Sequence, residues 1–207
     1  KKYDETDGMF SEHLILLASI SVSNIKISKI LEIGTYDGRT ALILSKLFPE
    51  SSILTIDLPI NKKEFESTYN RGKKINSFVI NRTTNLDNAP NVELKEINSL
   101  GLSLFEEAFD LIWIDGAHGY PVVAMDIINS FRLASDGGYV LIDDIWKSVK
   151  ISDKTYKSIS GLESLQSLVD AHLISSFSLF PKRLRGDFNY PGKKKFVGLF
   201  IKTPPKH

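Results

Sequence analysis

The chain of 207 residues contains no cysteine. That absence excludes disulfides, thiolate zinc centres and a cysteine nucleophile, and it leaves the compartment open. Net charge is nearly absent too, since 26 basic side chains against 25 acidic ones leave +1. Nucleic acid could then be held only by a local patch, not by a field over the whole surface. Long apolar runs are also missing. HLILLASI, residues 13–20, is too short to span a bilayer. Asp4, Glu5, Asp7 and Glu12 precede it and no small-residue cleavage pattern follows, which argues against a signal peptide. A soluble cytoplasmic protein without membrane contact is the expectation. What is present is an ordinary globular composition, 42% apolar and 25% charged. A chain of this length suffices for one domain that buries roughly 70% of its unfolded surface.

Apolar positions Met9, Leu14, Leu17, Ala18 and Val22 recur at helical spacing and predict an amphipathic first helix over 9–22. KISKILEIG follows as a strand whose near-continuous Ile and Leu predict burial on both faces. GRTALILSKLF reads as a helix that stops at Pro49, and SSILTIDLP as a strand ended by Asp57 and Pro59. Residues 60–91 are rich in Asn and Lys and patternless apart from INSFVI; they read as an insertion with some helix that serves as a lid. Alternation then resumes with NVELKEI as strand, LGLSLFEEA as short helix, FDLIWID as strand, 120–134 as helix and GGYVLIDD as strand. After a polar loop at 145–160, GLESLQSLVDAH is a helix that Gly161 opens, and LISSFSLF and KKFVGLFIK are the last strands. Such alternation predicts an α/β, doubly wound, mostly parallel seven-stranded sheet with an antiparallel last strand, in a single domain over 1–207. Sheets of this kind bind ligands outside the carboxyl ends of their strands.

Acidic residues gather at those ends. ILEIGTYDGRTA places Glu32, Gly34 and Gly38 where the first strand turns into a helix. A dinucleotide fingerprint needs a glycine where Tyr36 stands, so a pyrophosphate would be crowded there, and Glu32 would repel phosphates in any case. Asp57, 23 residues after Gly34, is placed to accept hydrogen bonds from ribose hydroxyls. Together they point to a nucleoside without phosphates, although each residue alone could be a turn or strand-end residue. Asp115 ends the FDLIWID strand, and Asp143 and Asp144 end GGYVLIDD. Three carboxylates on neighbouring strands repel one another unless a cation neutralises them, and oxygen ligands favour magnesium, calcium or manganese. His118, three residues past Asp115 among Gly116, Ala117 and Gly119, is a candidate general base. Histidines at such turns also serve as caps or hydrogen-bonded loop residues.

ILEIGTYDG followed by ILTIDLP resembles the cofactor half of the class I S-adenosylmethionine-dependent methyltransferases, over roughly residues 5–145 plus the final two strands. DETDGMFSEHLILLASI, IDGAH and LIDD resemble the metal-dependent catechol and caffeoyl-CoA O-methyltransferase branch and related bacterial small-molecule O-methyltransferases. The resemblance implies a Rossmann-like fold with Glu32, Gly34, Thr35 and Gly38 around the methionine part of S-adenosylmethionine, Asp57 on the ribose, Asn98 or Ser99 beside the adenine, and Asp115 close by. It implies a divalent cation, magnesium above all, at Asp115, Asp143 and Asp144, chelating two adjacent oxygens of the substrate. His118 stands where the plant and animal enzymes carry a catalytic lysine, and Asp144 where they often carry asparagine. The implied reaction is metal-assisted O-methylation of a small hydroxylated molecule, a sugar or a catechol-like ring. A homodimer is compatible with this reading.

PKRLRGDFNYPGKKK holds Lys182, Arg183, Arg185, Lys193, Lys194 and Lys195 against one acid, with Phe188 and Tyr190 between them. Basic charge with interleaved rings suits single-stranded nucleic acid, which keeps an RNA methyltransferase using the 182–195 loop open as an alternative. The plainer reading is a solvated hairpin whose lysines protect an edge strand. It could also attract an anionic substrate. A non-catalytic cofactor-binding module is the remaining alternative.

Overall fold

Continuous runs of Ile and Leu form strands here because helices cover both of their faces. The computed structural model describes residues 12–60, 75–148, 158–182 and 195–204. The first half runs α1 (Glu12–Ser21), β1 (Lys29–Ile33), α2 (Arg39–Leu47), β2 (Ser52–Asp57), α3 (Ile75–Asp87) and β3 (Val92–Glu96). A 3-10 helix (Ser99–Leu104) leads into β4 (Phe109–Ile114), α4 (Val122–Leu133) and β5 (Ala134–Trp146). The chain then passes through α5 (Ser160–Asp170), β6 (Phe177–Pro181) and β7 (Lys195–Ile201).

The seven strands lie in the order β3-β2-β1-β4-β5-β7-β6, with β3 to β5 parallel and β7 antiparallel to both β5 and β6. This is the doubly wound sheet expected, with its last strand reversed. Period-2 alternation divides the core between the two faces. Leu31, Ile33, Ile112, Ile114, Val140 and Ile142 pack against α4 and α5. Ile30, Ile53, Leu111, Trp113, Leu141 and Val197 pack against α1 and α2. The same alternation turns Glu32, Thr55, Asp57, Asp115 and Asp143 toward the α1/α2 face.

The boundaries differ from expectation where local chemistry competes with periodicity. Residues 9–11 and 61–74 of the expected first helix and insertion lie outside the described residues, as does the 183–194 stretch of the basic segment. Within the 60–91 insertion, 75–87 forms one continuous helix, α3. LGLSLFEEA makes no α-helix. Asn98 accepts a bond from the Leu100 amide at 3.0 Å, and this side-chain turn commits the chain to a 3-10 helix. LISSFSLF starts as a strand only at Phe177. Before that, His172 takes a left-handed φ of 58° and the Leu173 and Ile174 amides donate to the Leu168 carbonyl, closing α5. No helix among the described residues is long and apolar enough to cross a membrane.

Asp126 of α4 is completely buried beneath the strand tips, and burial pushes its carboxyl up to about 7, the nearby Ser99 hydroxyl pulling the other way. An unfolded aspartate titrates near ~3.9. The neutral folded carboxyl therefore contributes stability that is complete below about pH 4 and is lost as pH rises through about 7. Asp126→Asn, which stays neutral, is expected to melt several degrees above the wild type at pH 8 and to show a much smaller gain at pH 5. Thermal denaturation by circular dichroism at the two pH values checks this.

Candidate active site

At the tip of β1 the backbone passes close to the end of β4. The Asp115 amide donates to the Ile33 carbonyl at 2.8 Å, and the Gly34 amide donates to Ile56 at 2.9 Å. Gly34 has a φ of +100°, and a Cβ there would lie 2.3 Å from the Asp115 carbonyl oxygen, so only glycine fits. Just before it, Glu32 is fully buried. Thr35 shares a 2.7 Å hydroxyl contact with Thr55, which donates to Glu32 Oε2 at 2.5 Å. Glu32 Oε1 has no hydrogen-bond partner. Burial pushes this carboxyl up to about 8, Thr55 pulls it down, and Asp57 and Asp37 push it further up. A buried acceptor left open beside a glycine turn fits a ligand that brings its own donor, such as an ammonium group.

Asp57 ends β2. Its oxygens accept from the Tyr36 amide at 2.9 Å and the Leu58 amide at 2.8 Å. Helix α3 packs over this corner. Asn85 donates to the Asp37 carbonyl at 2.8 Å, and a Cβ on Gly38 would lie 3.3 Å from the Arg82 carbonyl. Arg82, almost completely buried, reaches Glu96 at 2.9 Å and comes within 3.9 Å of Asp57. The Tyr36 and Phe78 rings meet edge-on at 5.1 Å. Asn98 is engaged as the cap of the 3-10 helix, and Ser99 lies beside Asp126.

The second half of the site lies where β4 and β5 end. His118 is buried, with Nε2 3.5 Å from Asp115 Oδ1 and 4.0 Å from Asp144 Oδ2. Burial lowers its pKa, opposed by Asp144 and Asp143 and aided by Lys195 and Lys182. It is therefore a neutral imidazole at physiological pH, able to accept a proton. Asp115 is held well above the usual carboxylate range, by burial first and by Asp143 next. In a regular strand Asp143 and Asp144 would point to opposite faces. They do not here, because the β5–β7 register slips between Ile142 and Ile145 and Asp144 takes a left-handed φ of 50°. Lys182 Nζ consequently donates to Asp143 Oδ1 at 2.7 Å, Asp143 Oδ2 at 2.8 Å and Asp144 Oδ1 at 2.7 Å. Lys195 Nζ pairs with Asp144 Oδ2. Burial raises the Asp144 carboxyl, but Lys182, His118 and Lys195 together hold it well below the usual range.

The expected magnesium site is not formed by this donor set. Among the described residues, no three His, Asp or Glu side chains are grouped to hold a metal ion. All four oxygens of Asp143 and Asp144 are taken by ammonium groups. The reading of these lysines as hairpin solvent charges also changes, since Lys182 is buried, its side chain 7% exposed.

Comparison with known proteins identifies the family. The family described as a methyltransferase domain matches residues 31–145. The chain belongs to that family. No curated protein sequence matches it. Among solved structures, the O-methyltransferase TomG from Streptomyces achromogenes, in complex with SAM, is 17% identical with a TM-score of 0.61, covering 98% of this chain and 82% of TomG. Cofactor-bound Rv0187 from MTB is 17% identical with a TM-score of 0.65, covering 99% of this chain and 83% of its own. An O-methyltransferase from Bacillus cereus in complex with SAH is 17% identical with a TM-score of 0.61, covering 97% and 83%. At this identity the likeness establishes a shared fold.

Four residues of this methyltransferase-family chain have a place in the site that its sequence did not signal. Arg82 sits in the stretch that lacked a pattern, and Lys182 and Lys195 were counted as loop charges. His13 of α1 is the other. It is buried, its ring stacks on Trp113 at 5.0 Å, and burial lowers its pKa to about 4, with Asp143 opposing. Its helical position next to the acidic start of α1 carried no signal, because only the packing of α1 on β4 brings it to the site. Gly34→Ala is expected to destabilise the fold by at least about 2 kcal/mol, from the left-handed backbone and the clash with Asp115. Urea denaturation of the variant measures the loss.

Proposed function

We propose that this protein transfers a methyl group from S-adenosylmethionine to an oxygen of a small hydroxylated molecule, a sugar or a catechol-like ring. The observation that carries the reading is the open oxygen of buried Glu32 at the end of β1, with His118 past the end of the neighbouring strand β4. Support also comes from the family match and from the names of the O-methyltransferases that share the fold.

The cofactor, when bound, supplies a methyl group on a positively charged sulfur. Glu32 would accept hydrogen bonds from its ammonium, Gly34 and Thr35 would shape the turn around its methionine part, and Asp57 would accept from the ribose hydroxyls. Asn98 or Ser99 would stand beside the adenine. His118 would take the proton from the acceptor hydroxyl as its oxygen bonds to the methyl carbon, while the carbon–sulfur bond breaks and a neutral thioether leaves, in a buried setting that excludes competing water. Metal assistance is left out of the proposal, because the carboxylates that would hold the ion are already matched by ammonium groups.

Two outcomes test it. His118→Ala is expected to lower methyl transfer by about 10²–10⁴-fold while leaving the affinity for S-adenosylmethionine unchanged by calorimetry. Equal loss of both would remove the histidine from the chemistry. Because Glu32 titrates at about 8 when it has no cation beside it, cofactor binding at pH 6.5 should release close to one proton from this group. Calorimetry in buffers of different ionisation heat measures the release, and Glu32→Gln should abolish it.

A further inference from the structure

We propose that Lys182 and Lys195 stand permanently where a divalent cation would sit on Asp143 and Asp144, so that this protein works on its substrate without a metal ion. The occupancy stands on side-chain geometry alone. What it means for catalysis rests on the methyl-transfer reading above.

Four features point the same way. Each of the four carboxylate oxygens of Asp143 and Asp144 receives an ammonium hydrogen bond, three from Lys182 at 2.7, 2.8 and 2.7 Å and one from Lys195. A lysine has three N–H groups, and Lys182 spends all of them here. Charge is balanced, two carboxylates against two ammonium groups, so a dication would enter a pair that is already neutral. The pairing is also enclosed, the side chains of Lys182, Asp143 and Asp144 being only 7%, 9% and 14% exposed. Evicting Lys182 would leave a buried charge without its partner. Lastly, the backbone is shaped for this contact. The bulge in β5 and the left-handed Asp144 turn both carboxylates to one ammonium, a conformation that persists only where its surroundings hold it.

The topology explains why the lysines arrive there. Strand β7 runs antiparallel to β5, so its first residue, Lys195, pairs with Trp146 at the far end of β5. Lys182 follows the end of β6, and its amide donates to the Lys195 carbonyl at 2.9 Å. Both ammonium groups thus belong to strand termini rather than to a mobile chain end. Lys182 bridges both aspartates. It fixes Asp144, whose Oδ2 lies 4.0 Å from His118 Nε2.

Manganese is the probe, followed by its paramagnetic resonance signal in titrations of the wild-type protein with and without S-adenosylmethionine. The expected result is no stoichiometric binding at micromolar manganese. One equivalent bound at micromolar concentration by the wild type, and lost in Asp143→Asn, would overturn the proposal. The double variant Lys182→Met, Lys195→Met bares the carboxylates and is expected to gain at least about tenfold in manganese affinity, with Lys182→Arg binding no more than the wild type. If the double variant does not fold, the wild-type titration still decides. This readout needs no acceptor, so it is independent of whether methyl transfer is the reaction. Failure of that reading would appear separately, as absence of S-adenosylmethionine binding in calorimetry. Once an acceptor is in hand, turnover should be unchanged by a chelator.

Discussion

The parallel pairing of β1, β4 and β5 is the constraint on which the site depends. Hydrogen-bonded neighbours in register must present alternate residues to the same face, so Ile30, Leu111, Trp113 and Leu141 line one layer of core. The acids two positions further along each strand inherit that direction. Glu32 and Asp115 are therefore brought together by the burial of their apolar neighbours, which provides the free energy that holds polar groups at a cost. The Gly34 turn adds the last element. The ends of β1 and β4 approach so closely that no side chain could stand between them.

Buried charge in this protein is handled in two different ways. At β1, Glu32 is desolvated with a single hydroxyl donor and raised to about 8, so a cation brought beside it would be met by its ionisation. At β5, Asp143 and Asp144 are matched inside the chain by Lys182 and Lys195. One end of the crevice thus has an unmet demand for positive charge and the other has none. His118 lies in the second environment, where burial outweighs the acids around it and keeps the ring neutral.

Much of the fold could be read from the chain because the strands are long apolar runs set off by glycine, proline and acids. KILEI, SILTID and FDLIWI each formed a strand where their composition placed it, and the last strand runs antiparallel as expected. Local hydrogen bonding defeated periodicity at Asn98, where a side chain captured the turn. Helix α3 was less legible, since its contact with the glycine loop runs through Asn85 and the carbonyl of Arg82 rather than through an apolar stripe.

The sequence by itself determined which residues could carry chemistry: Glu32 before a glycine turn, Asp57 at a strand end, and Asp115 with His118 three residues later. Spacing along one strand and across one turn is a local property, and local properties are written in consecutive letters. Only the tertiary structure decided what neutralises the acids at the end of β5. Lys182 and Lys195 lie 39 and 51 residues away in the chain from the aspartates they meet. The bulge that turns Asp144 toward them arises from the register of an antiparallel partner. Long-range pairing of this kind depends on how strands are ordered in the sheet, and no short stretch of sequence contains that order.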